Sequence, residues 1–126
     1  MNRTTLLIAC ALATACTVAP PRPADLSPGP QLSRAQGEQA ARRYIAEKLR
    51  DPGRVEDVTL TRDPYPTEYQ RVGKPWVAGY VVCFEYDVRN RASGRVGEKL
   101  RAIVVRGGAQ PEIVDVLEDP YPIKWC

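Results

Sequence analysis

Hydrophobic positions along this chain recur at helical spacing in one stretch and at strand spacing in several others. Ala40, Ala41, Tyr44, Ile45 and Leu49 fall on one helix face, with Glu38, Arg42, Arg43, Glu47 and Lys48 opposite. Ser33 and Gln36 stand at the S-x-x-Q spacing of a capping box, and Asp51-Pro52-Gly53 ends the pattern by restricting the preceding residue and offering a turn. The spacing predicts a helix over 34–50. Val55 to Thr61 alternates weakly as a short strand, and Arg62 to Pro75, rich in proline and tyrosine, reads as loop. From Val77 to Arg89 the positions Tyr80, Val82, Phe84, Tyr86 and Val88 form an apolar face, whereas Glu85, Asp87 and Arg89 are charged. Asn90 to Gly94 is turn chemistry, Leu100 to Arg106 a third strand, Gly107-Gly108 a turn, and Glu112 to Glu118 a fourth strand. The expected fold class is α+β: one N-terminal helix on an antiparallel meander of about four strands, the other sheet face wet.

The N-terminal segment is patterned differently. Arg3, an apolar run from Leu6 to Leu12 and small residues before a cut site describe a secretory signal too short to span a bilayer. Leu12-Ala13-Thr14-Ala15-Cys16 resembles the lipobox of bacterial lipoproteins, in which the cysteine receives diacylglycerol before cleavage. The resemblance implies lipid attachment at Cys16, and Thr17 in the next position permits delivery to the outer membrane. Leu7-Ile8-Ala9-Cys10 also fits the four-residue pattern, but leaves an apolar run shorter than the roughly seven residues a signal core needs. An ordinary signal cut near Ala15 or Ala19 is the alternative. Residues 1–15 are thus read as signal, 16–30 as lipidated terminus and tether, and 31–126 as one small domain. The tether carries Pro20, Pro21, Pro23, Pro28 and Pro30; polyproline-like chain of that length reaches roughly 40 Å. No later apolar run is long enough to cross a membrane, so the expected partner by this route is the lipid bilayer, reached through the acylated terminus.

Charge narrows the function classes. The formal net charge is +3 with both signs interleaved, unlike the basic stripe that nucleic-acid binding requires. Histidine is absent, which removes Ser-His-Asp and Cys-His arrangements and the commonest metal ligand. No metal site or cofactor is expected. Ser27, Ser33 and Ser93 read as tether, cap and turn residues rather than nucleophiles. Glu85 and Asp87, two apart on one strand, put their carboxylates about 6.5 to 7 Å apart, a separation used in glycoside hydrolysis. The plainer reading is a solvated charged face, ion-paired with Arg89, Lys99 or Arg101.

With Cys10 in the signal and Cys16 acylated, Cys83 and Cys126 remain as a candidate disulfide in an oxidising compartment; a buried free Cys83 and an exposed Cys126 thiol are the alternative. Asp63-Pro64-Tyr65-Pro66 recurs as Asp119-Pro120-Tyr121-Pro122, each after a strand-like run, and reads first as strand-ending chemistry. The sharper reading makes the Arg62 to Arg71 loop, with Arg62, Tyr65, Tyr69 and Arg71, a partner-binding surface, since aromatic and arginine side chains dominate interface hot spots.

Leu49-Arg50-Asp51-Pro52, then Val82-Cys83-Phe84-Glu85-Tyr86-Asp87-Val88-Arg89-Asn90 followed by Gly94 and Gly97, resembles a group of small uncharacterised bacterial outer-membrane lipoproteins. Their pattern is a helix ending in L-x-D-P and a strand carrying V-C and, farther on, an asparagine before a glycine-rich turn. The resemblance implies fold and location and carries no activity. The expectation is a membrane-tethered periplasmic binding or accessory lipoprotein contacting an envelope protein, with no catalytic site. The rivals are a secreted or periplasmic inhibitor of a partner enzyme and a glycan-cleaving envelope hydrolase using Glu85 and Asp87.

Overall fold

In a computed structural model, which describes residues 20–48, 55–90, 94–117 and 124–126, helix α1 runs Arg34–Lys48. Its start is the reciprocal cap expected from the spacing: Ser33 Oγ accepts from the Gln36 N–H at 3.1 Å, and Gln36 Oε1 accepts from the Ser33 N–H at 3.0 Å. Such a cap stabilises a helix by about 1 kcal/mol. Gly37, Ala40, Ala41 and Ile45 form its buried face. Leu49, Arg50 and the Asp51-Pro52-Gly53 stop lie outside the described residues.

The strands are β1 (Val55–Leu60), β2 (Tyr65–Gln70), β3 (Trp76–Asn90), β4 (Gly94–Arg106) and β5 (Glu112–Leu117), all paired antiparallel. The sheet order is β1-β3-β4-β5, with β2 also on β3. The four strands read from the sequence, β1, β3, β4 and β5, thus pair in chain order as the expected antiparallel meander, and β2 is an addition to it. β1 and β2 share one edge of β3, β1 along its far half (Leu60 opposite Phe84) and β2 along its near half (Tyr65 opposite Val81). Five residue steps on the edge chain therefore oppose three on β3, and the surplus is a kink at Thr61-Arg62-Asp63-Pro64. Residues 65–70, expected as loop, are the second half of a broken edge strand. Their Pro66 suits an edge, where a missing N–H costs no ladder bond.

Local chemistry holds the kink. The Thr61 N–H donates to Cys83 O at 3.0 Å, keeping the chain on β3. Arg34, in the first turn of α1, donates to Leu60 O at 2.8 Å and to Asp63 Oδ1 at 2.7 Å. The first Asp-Pro-Tyr-Pro copy thus interrupts an edge strand rather than ending it; the second lies outside the described residues. A smaller irregularity falls between Glu56 and Thr59, where Asp57 takes a φ of 56°, a left-handed backbone that aspartate tolerates better than most residues. β4 begins at Gly94, six residues before the strand read from Leu100, because its first half is polar and Gly-containing and lacks an apolar alternation.

The core has two parts, one on each sheet face. Tyr80, Val82, Phe84 and Tyr86 of β3 pack with Ile103 and Val105 of β4 against α1, as the alternation predicts. The Tyr44 and Phe84 rings meet edge-on at 6.2 Å. The opposite face is not wet. Val81, Cys83, Ala102, Val104 and Leu117 are buried there beneath Tyr65, Tyr69, Val77, Val114 and Trp125. The run Val77 to Cys83 carries no charged residue, which is how a strand buried on both faces reads.

Residues 20–30, expected as an extended tether, lie against the domain. Pro20 O accepts from Gln70 Nε2 and from Trp76 Nε1, each at 3.2 Å. Arg22 forms a two-pronged ion pair with Glu68, its second arm 2.9 Å long. Pro28 O accepts from the Gly107 N–H at 2.9 Å, and Gly29 O from Tyr80 Oη at 3.1 Å. Gly107 is required here, because a Cβ on it would sit 1.9 Å from Pro30 O. The segment is not a uniformly extended chain: it turns where the Leu26 N–H donates to Pro23 O at 3.3 Å, and the sheet supplies acceptors and donors that fix it in place.

Candidate functional site

Alternation along β2 points Tyr65 and Tyr69 onto the face opposite α1. Tyr69 Oη donates to Asp115 Oδ2 in β5, and Arg71 Nη2 lies 3.2 Å from the same oxygen. Two strands, β3 and β4, separate β2 from β5 in the sheet, so this contact requires the sheet to curl over its second core. Asp115 Oδ1 also accepts from the Val116 N–H at 2.8 Å, and Arg71 donates to Val116 O at 3.4 Å. Burial, with the hydrogen bond to Asp115 and its negative charge, pushes the Tyr69 phenol well above its ordinary pKa, against the nearby Arg71 cation.

The C-terminal residues close the curl. Cys83 and Cys126 Sγ lie at disulfide distance, 2.08 Å, with Cα atoms 5.8 Å apart. Trp125 lies on the second core, its ring 5.4 Å from that of Tyr69, and its carbonyl accepts from Tyr65 Oη at 2.5 Å. Arg62 stacks over Tyr65, 4.1 Å from the ring centroid. Burial raises the Tyr65 phenol pKa, opposed by the Arg62 charge.

A cleft opens beside this staple. β4 stops at Arg106, and with Val105 opposite Tyr80, the first residues of β3 run on past its end. The gap is a cavity of about 490 Å³, lined by Arg71, Lys74, Trp76, Arg106, Glu112 and Asp115 among others. Asp115 is engaged by Tyr69 and Arg71, which leaves Lys74 and Arg106 as the outward cations. Lys74 belongs to the β2–β3 turn, where Val72 stands fully exposed, the one large hydrophobic so placed among the described residues. The docked Pro20 reaches the same end of the sheet through Trp76 and Gln70. The Lys74 and Arg106 cations can hold an anionic group at this end, beside the apolar tip.

Of the residues singled out in the sequence, Tyr65, Tyr69 and Arg71 come together at one staple, with Arg62 stacked at its margin. Cys83 and Cys126 meet beneath it. Cys16 lies outside the described residues. Glu85 and Asp87 share the face of Val81 and Cys83 and do not line the cleft. Asp87 is 4% exposed and Glu85 is partly buried, so the solvated charged face expected there is corrected at these two positions. Sequence reading missed Asp115, Lys74, Trp76 and Arg106 as a group. Asp115 did carry a signal, a lone acid within Ile113-Val114-Asp115-Val116-Leu117, whereas the other three meet only through strand register.

No group of three or more histidine, cysteine or carboxylate side chains suited to a metal occurs among the described residues. Comparison with protein-family models, with curated proteins and with solved structures finds no match to this chain.

Proposed function

We propose that this chain is a lipid-anchored binding and accessory domain of the bacterial envelope, held at the periplasmic side of the outer membrane by acylated Cys16. Its contact with an envelope component is made at the end of the sheet where Arg71, Lys74, Trp76 and Arg106 surround the cleft. One observation carries the reading: Pro20, four residues after the lipobox cysteine, is hydrogen-bonded to Gln70 and Trp76 at the rim of that cleft. The anchor and the candidate contact surface therefore belong to the same end of the molecule. The lipobox-like Leu12 to Cys16 segment supports acylation, and no helix among the described residues is long and apolar enough to cross a membrane in its place.

Intact mass and membrane fractionation of the chain expressed in a Gram-negative host test this against Cys16→Ala. The expected wild-type product begins at Cys16, carries a diacylglycerol-sized increment with acyl chains, and sediments with the outer membrane; the variant does neither. A soluble wild-type product cut near Ala15 or Ala19 would overturn the anchor.

A further inference from the structure

The short leash has a geometric consequence. Pro20 is four residue steps from Cys16, and a chain that long spans at most about 14 Å even when fully extended. Pro20 is fixed to the base of the β2–β3 turn through Gln70 and Trp76, and Gln70 Nε2 also donates to Lys74 O at 3.2 Å. An acylated Cys16 therefore holds this turn close to the headgroups whatever path the intervening residues take. The turn suits such a neighbour: fully exposed Val72 at its tip, Arg71 and Lys74 flanking it, Trp76 at its base, and Arg106 across the cleft.

We infer that the β2–β3 turn is a second membrane contact, in which Val72 enters the interface while Lys74 and Arg106 meet anionic phospholipid headgroups at the cleft. The inference rests on the reading of Cys16 as the anchor. The opposing charges at the cleft are Glu112 and Asp115, of which Asp115 is engaged by Tyr69 and Arg71. The surplus is small, so the contact is too weak to recruit the protein alone. It acts because the anchor keeps Pro20 within about 14 Å of the acylated residue, comparable to the Debye length of about 8 to 10 Å over which the field of the anionic surface decays. Long basic side chains can then lay their stems on the interface and their charges on phosphate. The result is orientation: the β3–β4 hairpin, at the opposite end of the long strands, points away from the membrane.

The test imposes the anchor chemically. The mature chain from Cys16 is coupled through that thiol to maleimide-lipid, Cys83 and Cys126 being paired with each other. Val72→Trp adds an indole at the tip, where nothing packs. In vesicles with brominated acyl chains and roughly 30% phosphatidylglycerol, the added emission should be about twofold lower than in unbrominated vesicles of the same charge. Lys74→Glu with Arg106→Glu, or high salt, should restore it. Unquenched emission, or equal quenching in pure phosphatidylcholine that the charge reversals leave unchanged, would overturn the inference. Trp76 in the otherwise wild-type chain, read against Trp76→Phe, gives the same comparison without altering the tip. Failure of acylation in the cell would appear in the mass measurement and leave the vesicle result standing.

Discussion

Tyr69→Phe deletes one hydroxyl from the contact that joins the two edges of the curled sheet. Tyr69 Oη donates to a carboxylate, and hydrogen bonds to charged groups contribute about 1.5 to 3 kcal/mol. The site is half-buried, and Asp115 keeps Arg71 and the Val116 N–H as partners, so the expected loss falls toward the lower end, about 1 to 2 kcal/mol. For a domain of this size that is roughly 4 to 15 °C in Tm. Urea unfolding followed by tryptophan emission reads it directly, since Trp125 lies on Tyr69. Asp115→Asn should cost more, because it leaves Arg71 facing an amide, and the double variant should cost about 1 to 2 kcal/mol less than the two single losses added together.

The alkaline limb gives an independent check on the same bond. The folded-state pKa of Tyr69 lies above its ordinary value of 10.0, so the stabilisation is complete below pH 10. It is lost as pH rises above 10, where the unfolded chain ionises its tyrosine first. Tyr69→Phe should flatten the fall in stability above pH 10 while starting from a lower value at neutral pH. A variant within about 0.5 kcal/mol of wild type, with an additive cycle, would refute the staple as a stabilising contact.

Reducing the Cys83–Cys126 pair, or replacing Cys126 by serine, opens a loop of sequence separation 43 and should lower unfolding free energy by about 4 kcal/mol; an unchanged urea midpoint would count against the pairing. Gly107→Ala places a methyl group 1.9 Å from Pro30 O and should lift the 28–30 segment off β4, raising hydrogen exchange at Gly29 and at residue 107 about tenfold while the β3 amides keep their protection. Equal exchange in the two proteins would show that the chain absorbs the methyl without moving.

Several elements were legible because their causes are local. A capping box lies within four residues, so Ser33 and Gln36 announced the start of α1. Alternation from Tyr80 to Tyr86 named the face that α1 covers, since side chains on a strand change sides at every residue. The candidate cysteine pair followed from counting, with Cys10 read as part of a signal and Cys16 as the lipid-attachment residue. The aromatic and arginine content of Arg62 to Arg71 read as a partner surface, whereas in the fold Tyr65 and Tyr69 turn inward to Trp125 and Asp115.

By itself, then, the sequence determined the capped helix, the apolar face of β3 and the α+β class, because hydrogen bonds and periodicity between near neighbours dictate them. Tertiary structure decided which edge of β3 the Tyr65–Gln70 segment joins, that Pro20–Pro30 lies along the sheet, and that the second face is covered. It also decided that Arg71, Lys74, Trp76 and Arg106 share one cleft. These depend on residues tens of positions apart finding a common register, and on a sheet curling far enough for Tyr69 to reach Asp115. A proline-rich segment or a polar strand has no periodicity that announces its partner; only the donors and acceptors that the folded sheet presents can choose it.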